Sequence, residues 1–170
     1  GQGSPAFDGQ HAQRFAEFLS RHVLWPAARL AVFEARGELE PTMEKYELYL
    51  SHSGRFAENG SPSYEDFTHS FFANAPYGKE LRIYEGHKLL AVSHMDLTDE
   101  LLSAIYCYWN PEYSHLGLGT YAVLRQIALA KQQACRYVYL GYYVHENSHM
   151  NYKAKYSPLE ALLTEENWVP

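Results

Sequence analysis

A segment with two glycines carries the clearest chemical signal in the sequence. Gly117 and Gly119 follow Asn110-Pro111 and directly precede a run with helical periodicity. Glycines let backbone N–H groups approach an anionic or ester oxygen, and a helix amino terminus adds a favourable dipole. The segment therefore predicts a site for such an oxygen. The alternative is that both glycines only permit a tight turn and close helix packing.

Other familiar kinds of catalytic site are excluded by their spacing. His145 and His149 are four residues apart, but no third ligand lies at short range, so we predict no metal site. No Gly-x-Ser-x-Gly elbow is present, which argues against a serine hydrolase of that type. Cys107 and Cys135 lack zinc-site spacing and are interpreted as buried free thiols.

The first half of the chain is predicted to be mainly helical. Gly1 to Gln10 is interpreted as a flexible tail or tag remnant, His11 to Trp25 as a helix, and Leu30 to Ala35 as a short strand. A helix then starts at Pro41 and ends near Ser53-Gly54, and another follows Ser61-Pro62. One face of the first helix is predicted to carry Met43, Tyr46, Tyr49 and Leu50, and the inner face of the second to carry Tyr64, Phe67 and Phe71.

The second half changes to strand periodicity. Two strands joined at Gly86-His87 form a predicted hairpin, and Leu102 to Trp109 is a third strand. A helix over Tyr121 to Gln133 and a strand over Tyr137 to Val144 follow, and a last short helix is predicted from Ser157-Pro158 through Leu163. The order from Leu81 onward is thus β, β, β, α, β, α, which is typical of a mixed sheet with helices.

Composition and charge restrict the class of protein. With 170 residues, 46% of them apolar, the chain fits one domain. No stretch approaches the length of about 18 apolar residues that a membrane-spanning helix needs, so we expect a cytoplasmic protein without membrane contact. Because the formal net charge is −6, any contact with RNA must be local.

Several separate motifs make the sequence similar to one known family. They are Leu102-Ser103-Ala104-Ile105-Tyr106, Asn110-Pro111, Leu118-Gly119-Thr120-Tyr121-Ala122, Tyr139-Leu140-Gly141-Tyr142 and Met150-x-Tyr152-Lys153-Ala154-x-Tyr156-x-Pro158-Leu159-Glu160. The family pattern also matches upstream, in the same order, at Tyr46-x-x-Tyr49 and at Leu90-Ala91-Val92 with Asp96. Over about residues 40–168 the chain resembles the carboxy-terminal half of arginyl- and leucyl-tRNA protein transferases.

The resemblance implies both a fold and a reaction. The fold is of the α/β (α+β) class, a GNAT-like acyltransferase fold with a mixed central sheet flanked by helices, formed by residues 11–170 as a single domain. Aminoacyl-tRNA would replace acetyl-CoA as acyl donor and co-substrate, with no cofactor. GNAT acetyltransferases hold a pyrophosphate with Arg/Gln-x-x-Gly-x-Gly/Ala, and Ser114 stands at the Arg/Gln position here, which agrees with that change of donor.

The acceptor stays open among a protein, a peptide and a small-molecule amine. Members of the family carry an amino-terminal domain with a cysteine cluster, and residues 1–40 contain no cysteine. Two alternatives to the transferase are kept: a CoA-dependent N-acyltransferase, and a non-catalytic GNAT-like module that binds a peptide amino terminus or an RNA end.

Within this reading the candidate catalytic residues are Asp96, Tyr106 and Gly119. Asp96 would pair with a cationic acceptor amine or aminoacyl side chain, the alternative being a turn aspartate. Backbone N–H groups of the Leu102 to Trp109 strand or of Leu118 to Thr120 would stabilise the oxyanion.

The remaining candidates would bind substrate. Lys153, with Tyr152, would meet phosphates of the tRNA acceptor end, the alternative being a solvated basic turn. Four tyrosines would line a pocket for adenine stacking, although strand alternation requires some of them to face the core: Tyr106, Tyr108, Tyr139 and Tyr142.

Overall fold

The structure is a computed structural model that describes residues 30–35, 39–56, 61–73, 76–147, 150–164 and 167–169. The predicted tail over residues 1–10 and the predicted helix over residues 11–25 lie outside these residues. None of the described helices is both long enough and apolar enough to span a bilayer.

A five-stranded sheet forms the centre of the molecule. Its strands lie in chain order across the sheet: β1 (Leu30–Ala35), β2 (Gly78–Glu85), β3 (Lys88–Leu97), β4 (Leu101–Trp109) and β5 (Tyr137–Tyr139). The first four strands are antiparallel, and β5 pairs with β4 in parallel. The predicted hairpin is confirmed, and its turn contains Gly86 at φ +60°, a backbone conformation that glycine adopts without penalty.

In the described part of the chain, three α-helices accompany the sheet: α1 (Met43–Ser53), α2 (Tyr64–Phe72) and α3 (Leu118–Gln132). Their starts follow local chemistry. The Thr42 side chain accepts the Lys45 N–H at the start of α1, and Ser63 and Asp66 form a capping box on α2. Short 3₁₀ helices lie at Gly54–Phe56, Pro111–Leu116 and Asn151–Lys155.

The helices cover opposite faces of the sheet. On the α1–α2 face the buried cluster consists of Leu48, Phe67, Leu89, Val92 and Tyr108. On the α3 face two clusters contain Ile83, Leu90, Ala91, Leu118 and Ala122, and Leu81, Met95, Leu102, Leu129 and Ala130. The sheet between them therefore has little freedom to move, and it is a rigid support for a site.

A buried ion cluster fixes α1 to the sheet. Lys45 Nζ lies 2.6 Å from Glu80 Oε1, and Arg82 Nε lies 2.9 Å from the same oxygen. Lys45 also donates to the Glu40 carbonyl at 2.7 Å. The fully buried residues of α1 are Lys45, Leu48 and His52, whereas Met43 is 56% exposed. The apolar face predicted to carry Met43 is therefore not the buried one, which carries Lys45 with its ion pair.

The carboxy-terminal part differs from the prediction in two ways. The strand predicted over Tyr137 to Val144 ends at Tyr139. The helix predicted from Ser157-Pro158 is absent; instead β6 (Ala161–Thr164) pairs with β7 (Asn167–Val169). Proline disfavours the helical region for the residue before it, and the chain is already extended at Tyr156 (φ −86°, ψ 141°).

Removal of the Glu80 charge should destabilise the fold strongly. We expect Glu80→Gln to lower the free energy of unfolding by about 3 kcal/mol, because it leaves the buried Lys45 ammonium without a counter-ion. Urea denaturation measures the loss. The matched control is Lys88→Ala, which removes an exposed pair at 3.9 Å to Glu112 and should cost less than about 1 kcal/mol. Equal losses in the two variants would contradict the assignment.

Candidate active site

A wedge opens where β4 and β5 part. The two strands pair at three positions: Leu101 with Tyr137, Leu102 with Val138, and Ser103 with Tyr139. Beyond them β5 ends, while β4 continues to Trp109. The register between β3 and β4 also shifts here, since His94 faces Tyr106 and Met95 faces Ala104. Ile105 is thus an extra, bulged residue, and bulges commonly redirect a strand beside a site.

The direction of the β4 amides determines what the wedge can bind. The Asn110 N–H donates to the Leu90 carbonyl of β3 at 2.8 Å, so alternate amides along β4 point toward β3. The Trp109 N–H points the other way and donates to His52 Nδ1 at 3.1 Å. Because strand amides alternate, the Cys107 N–H points into the wedge with that of Trp109. It is a backbone donor for a carbonyl oxygen placed there.

His52 closes the far end of the wedge. Its ring is buried and meets the Trp109 ring edge-on at 4.1 Å between centroids. Burial, with a smaller contribution from the Arg55 charge, lowers the pKa of His52 to about 4. Arg55 lies over the Trp109 ring at 4.5 Å, and its Nη2 is 3.0 Å from His52 Nε2. The end of α1 thus holds the last residue of β4 in place.

The amino terminus of α3 borders the same end of the wedge. Gly117 adopts φ +60° and ψ 38° between the Pro111–Leu116 helix and α3. A Cβ atom on Gly119 would lie 3.2 Å from the Trp109 ring. The packing of Trp109 therefore accounts for the glycine at position 119, as the packing alternative anticipated. A role of its N–H as an oxyanion donor stays a prediction.

Comparison with known proteins places the chain in a family. Residues 44–163 match the family described as arginine-tRNA-protein transferase, C terminus. The chain therefore belongs to the arginine-tRNA-protein transferase family. The match covers most of the chain, including α1, β4, α3 and β5, which together form the wedge. The resemblance inferred from the sequence is confirmed.

Curated relatives of this family member are named aspartate/glutamate leucyltransferase. One from Acinetobacter baumannii is 37% identical over 123 residues, which are 72% of this chain and 38% of the relative. One from Pseudomonas syringae pv. syringae is 36% identical over 131 residues, covering 75% of this chain and 55% of the relative. The chain thus spans about half the length of these relatives or less.

Solved acetyltransferases share the fold of this family member. The ribosomal-protein-S18-alanine N-acetyltransferase of Escherichia coli superposes with a TM-score of 0.55 at 13% identity, over 78% of this chain and 80% of that one. An aminoglycoside acetyltransferase from a soil metagenome gives 0.57 at 10% identity, over 85% and 98%. The predicted GNAT-like fold with a mixed sheet is confirmed. A sequence identity this low supports a shared fold and nothing more.

The structure connects two of the predicted catalytic residues. Tyr106 on β4 lies 6.3 Å from the His52 ring, His52 contacts Trp109, and Trp109 contacts Gly119. Burial raises the pKa of the half-buried Tyr106 hydroxyl. Asp96 is not part of this chain of contacts from Tyr106 to Gly119. It lies within β3, opposite Ser103, and not after the strand, and it borders a cleft at the other end of β4.

Three of the predicted substrate contacts have buried side chains. Tyr108 is fully buried and its hydroxyl lies 3.2 Å from His94 Nε2, so its ring belongs to the core. The Leu118 side chain is also fully buried, which leaves only its backbone for binding. Lys153 is 8% exposed, and its ammonium donates to the Tyr142 carbonyl. It therefore holds the segment after β5 and does not lie in a solvated turn.

The other predicted contact residues differ in exposure. Thr120 is exposed on α3, and Tyr139 and Tyr142 are exposed at 36% and 86%. Tyr152 is half-buried, and burial raises the pKa of its hydroxyl. Stacking of a base on any of these rings stays a prediction. Among the described residues, no group of three or more metal-ligating side chains occurs.

Sequence reasoning missed four residues that the structure brings to this region: His52, Arg55, His94 and Trp109. His52 and Arg55 sit at the end of a helix, where polar residues are ordinarily taken as solvated. A signal was present for His52, since Lys45, Leu48 and His52 have the i, i+3, i+7 spacing of a buried face. His94 stands in an apolar strand, where it suggested only a core position.

Substitution of Gly119 tests the contact with Trp109. We expect Gly119→Ala to lower the free energy of unfolding by about 1 kcal/mol, because the new methyl group overpacks the indole, which His52 and Arg55 hold from other sides. Trp109→Phe removes the ring atoms that clash, so the cost should disappear in that background. The control is Gly54→Ala, where nothing lies within 4 Å and no loss is expected. An unchanged stability of Gly119→Ala would refute the contact.

The buried histidines predict a pH dependence of stability. The pKa of His52 is lowered to about 4 and that of His94 to about 3, both chiefly by burial. The unfolded chain binds these protons near pH 6.5, so the stabilisation is complete above pH 6.5 and is lost as pH falls toward 4. Each group contributes a slope of up to about 1.4 kcal/mol per pH unit. Denaturation at several pH values should show a shallower slope for His52→Asn, and an unchanged slope would contradict this account.

Proposed function

We propose that the chain transfers an amino acid from aminoacyl-tRNA to the amine of a protein or peptide acceptor. The observation that carries this proposal is the wedge, in which the Cys107 N–H points toward an open strand edge inside the region that matches the family. An aminoacyl ester is already activated, so its transfer requires positioning and oxyanion stabilisation more than a strong base. A wedge with a fixed backbone donor supplies both.

The donor would enter with its ester along the open edge of β4. The carbonyl oxygen would accept the Cys107 N–H, while His52 occupies the Trp109 N–H. Exposed groups at the mouth, Thr120 and Tyr142 among them, would contact the acceptor end of the tRNA. We propose that no cofactor takes part, because the ester carries the activated acyl group, and that the protein acts in the cytoplasm, where charged tRNA is present.

The aminoacyl group is proposed to be of the leucine or arginine type. The curated relatives are named for leucyl transfer, and the family description names arginine. The same relatives are named for aspartate and glutamate, which makes an acidic amino-terminal residue the first acceptor to test.

A CoA-dependent N-acyltransferase is the second candidate, and the likeness in fold to acetyltransferases favours it. The segment that would grip a pyrophosphate argues against it. It carries exposed Ser114 at the Arg/Gln position, and exposed Glu112 stands two residues before it in the Pro111–Leu116 helix. Serine lacks the long polar side chain of Arg or Gln, and a nearby carboxylate repels phosphates.

The test is a transfer assay with defined donors. The full chain is incubated with one donor, leucyl-tRNA, arginyl-tRNA or acetyl-CoA, and with pentapeptides that begin with aspartate or alanine. Mass spectrometry then measures the masses of the products. We expect a gain of one leucyl or arginyl residue and no acetylation. Acetylation without aminoacyl transfer would overturn the proposal in favour of the second candidate.

A proline at the donor position tests the wedge itself. Cys107→Pro removes an amide that points away from β3, so the strand ladder is retained, and we expect turnover to fall about 10²- to 10³-fold, the usual effect of losing one oxyanion donor. Cys107→Ala keeps the amide and should remain active. Circular dichroism confirms folding, and full activity of a folded Cys107→Pro variant would rule out this donor.

A further inference from the structure

A cleft of about 230 Å³ opens between the carboxyl end of α2 and the sheet. Phe71 and the bulged Ile105 contribute apolar wall, and the polar groups that line the cleft include Lys79, His94 and Asp96. Ile105 belongs to both the cleft and the vertex of the wedge, because the register shift of β4 occurs at this residue. The cleft therefore adjoins the point at which the acyl group would lie.

His94 lines this cleft, and one of its ring nitrogens is buried without a hydrogen-bond partner in the described part of the chain. The side chain is 3% exposed, its ring stacks on Phe71 at 4.8 Å and 8° between planes, and its Nε2 lies 3.2 Å from the Tyr108 hydroxyl. Its Nδ1 has no hydrogen-bond partner among the described residues. A buried polar atom without a partner costs about 1–3 kcal/mol, and in a native protein such an atom calls for an explanation, such as a bound water, an ion or a catalytic role.

Asp96 supplies a second acceptor on the same strand face. It is two residues beyond His94 on β3, so both side chains project from one side of the sheet. Its carboxylate forms no hydrogen bond or ion pair with any of the residues that the structure describes, and it is only partly exposed. The cleft thus contains a carboxylate and an imidazole nitrogen, each lacking a donor.

The position of the cleft also fits the direction of attack. An oxyanion donor in the plane of the sheet holds a carbonyl at the β4 edge, and a nucleophile reaches such a carbon from above or below its plane. The α3 face is filled there by Met95, Leu102 and Leu129. The α1–α2 face is open at the cleft, so we place the nucleophile on that side.

We infer that this cleft binds the primary amine of the acceptor's amino-terminal residue, with Asp96 and His94 as positioning residues. A neutral primary amine has two N–H donors and one lone pair. One N–H donates to the Asp96 carboxylate and the other to His94 Nδ1, which leaves the lone pair directed at the ester. The histidine then carries its proton on Nε2 and donates it to the Tyr108 oxygen. The inference rests on the proposed function, since it names the acceptor subsite of that reaction.

The step balances with no further reactant. The acceptor ammonium first loses one proton to solvent, as its pKa of about 8 permits near neutral pH. The amine nitrogen then bonds to the ester carbon, and the bond from that carbon to the ribose oxygen breaks. The second proton passes from the nitrogen to the leaving ribose oxygen, which becomes a hydroxyl group. Asp96 and His94 are unchanged at the end.

A matched set of variants tests the two acceptors. Asparagine places an oxygen near the position of histidine Nδ1, and glutamine near that of Nε2, so His94→Asn preserves the proposed contact and His94→Gln removes it. Asp96→Asn removes the carboxylate. Binding is measured by calorimetry with a pentapeptide that begins with aspartate and with its N-acetylated twin, which lacks the primary amine.

We expect wild type and His94→Asn to bind the free peptide at least about tenfold more tightly than its acetylated twin, the effect of one or two hydrogen bonds to charged or buried groups. Asp96→Asn and His94→Gln should lose this preference while binding charged tRNA as wild type does. Equal affinity of wild type for the two peptides, no affinity for either, or a preference that survives in Asp96→Asn and His94→Gln would overturn the inference.

The outcome is separable from that of the proposed function. If the preference for the free amine is present but no amino acid is transferred from tRNA, the amine subsite stands and the donor assignment fails. If transfer occurs at the same KM for the peptide in Asp96→Asn and His94→Gln as in wild type, the reaction stands and the subsite is elsewhere.

Discussion

Strand β4 pairs with β5 over only three residues, and the remainder of the site depends on that short pairing. A longer ladder would satisfy every outward amide of β4 and leave no backbone donor for a substrate. The bulge at Ile105 turns the strand at the point where the ladder ends. Because α1, α2 and α3 pack on both faces, the edge stays open without collapse of the sheet.

Polar groups are buried in this protein where they join elements that are distant in sequence. Lys45 and Glu80 are 35 residues apart, and their contact holds α1 against β2. His52 and Trp109 are 57 residues apart, and their contact ties the end of α1 to the end of β4. A buried polar pair adds less to the free energy of unfolding than apolar packing does, but it forms in only one relative geometry of its two partners. Here that geometry aligns the helix that closes the wedge.

Local signals in the sequence were sufficient for most of the fold. Prolines, helical spacing and strand alternation located α1, α2 and the β2–β3 hairpin. The helix predicted from Tyr121 is α3, which begins three residues earlier, at Leu118. The bulge at Ile105 could not be predicted in this way, because it is a mismatch in register between two strands. The row formed by Glu80, His94 and Tyr106 also depends on cross-strand pairing. His52 was missed because a polar residue at a helix end looks like a surface position, and His94 because a histidine in an apolar strand suggests only a core position.

An unpaired strand edge is ordinarily a hazard, since a row of free amides and carbonyls can template the addition of a foreign strand and so lead to aggregation. The edge of β4 is bounded by β5 at one end and by the His52 imidazole at the other. What remains between these limits is a few residues long, whereas strands in proteins commonly need five or six residues. The gap is thus wide enough for one carbonyl group and too short to nucleate a cross-chain sheet.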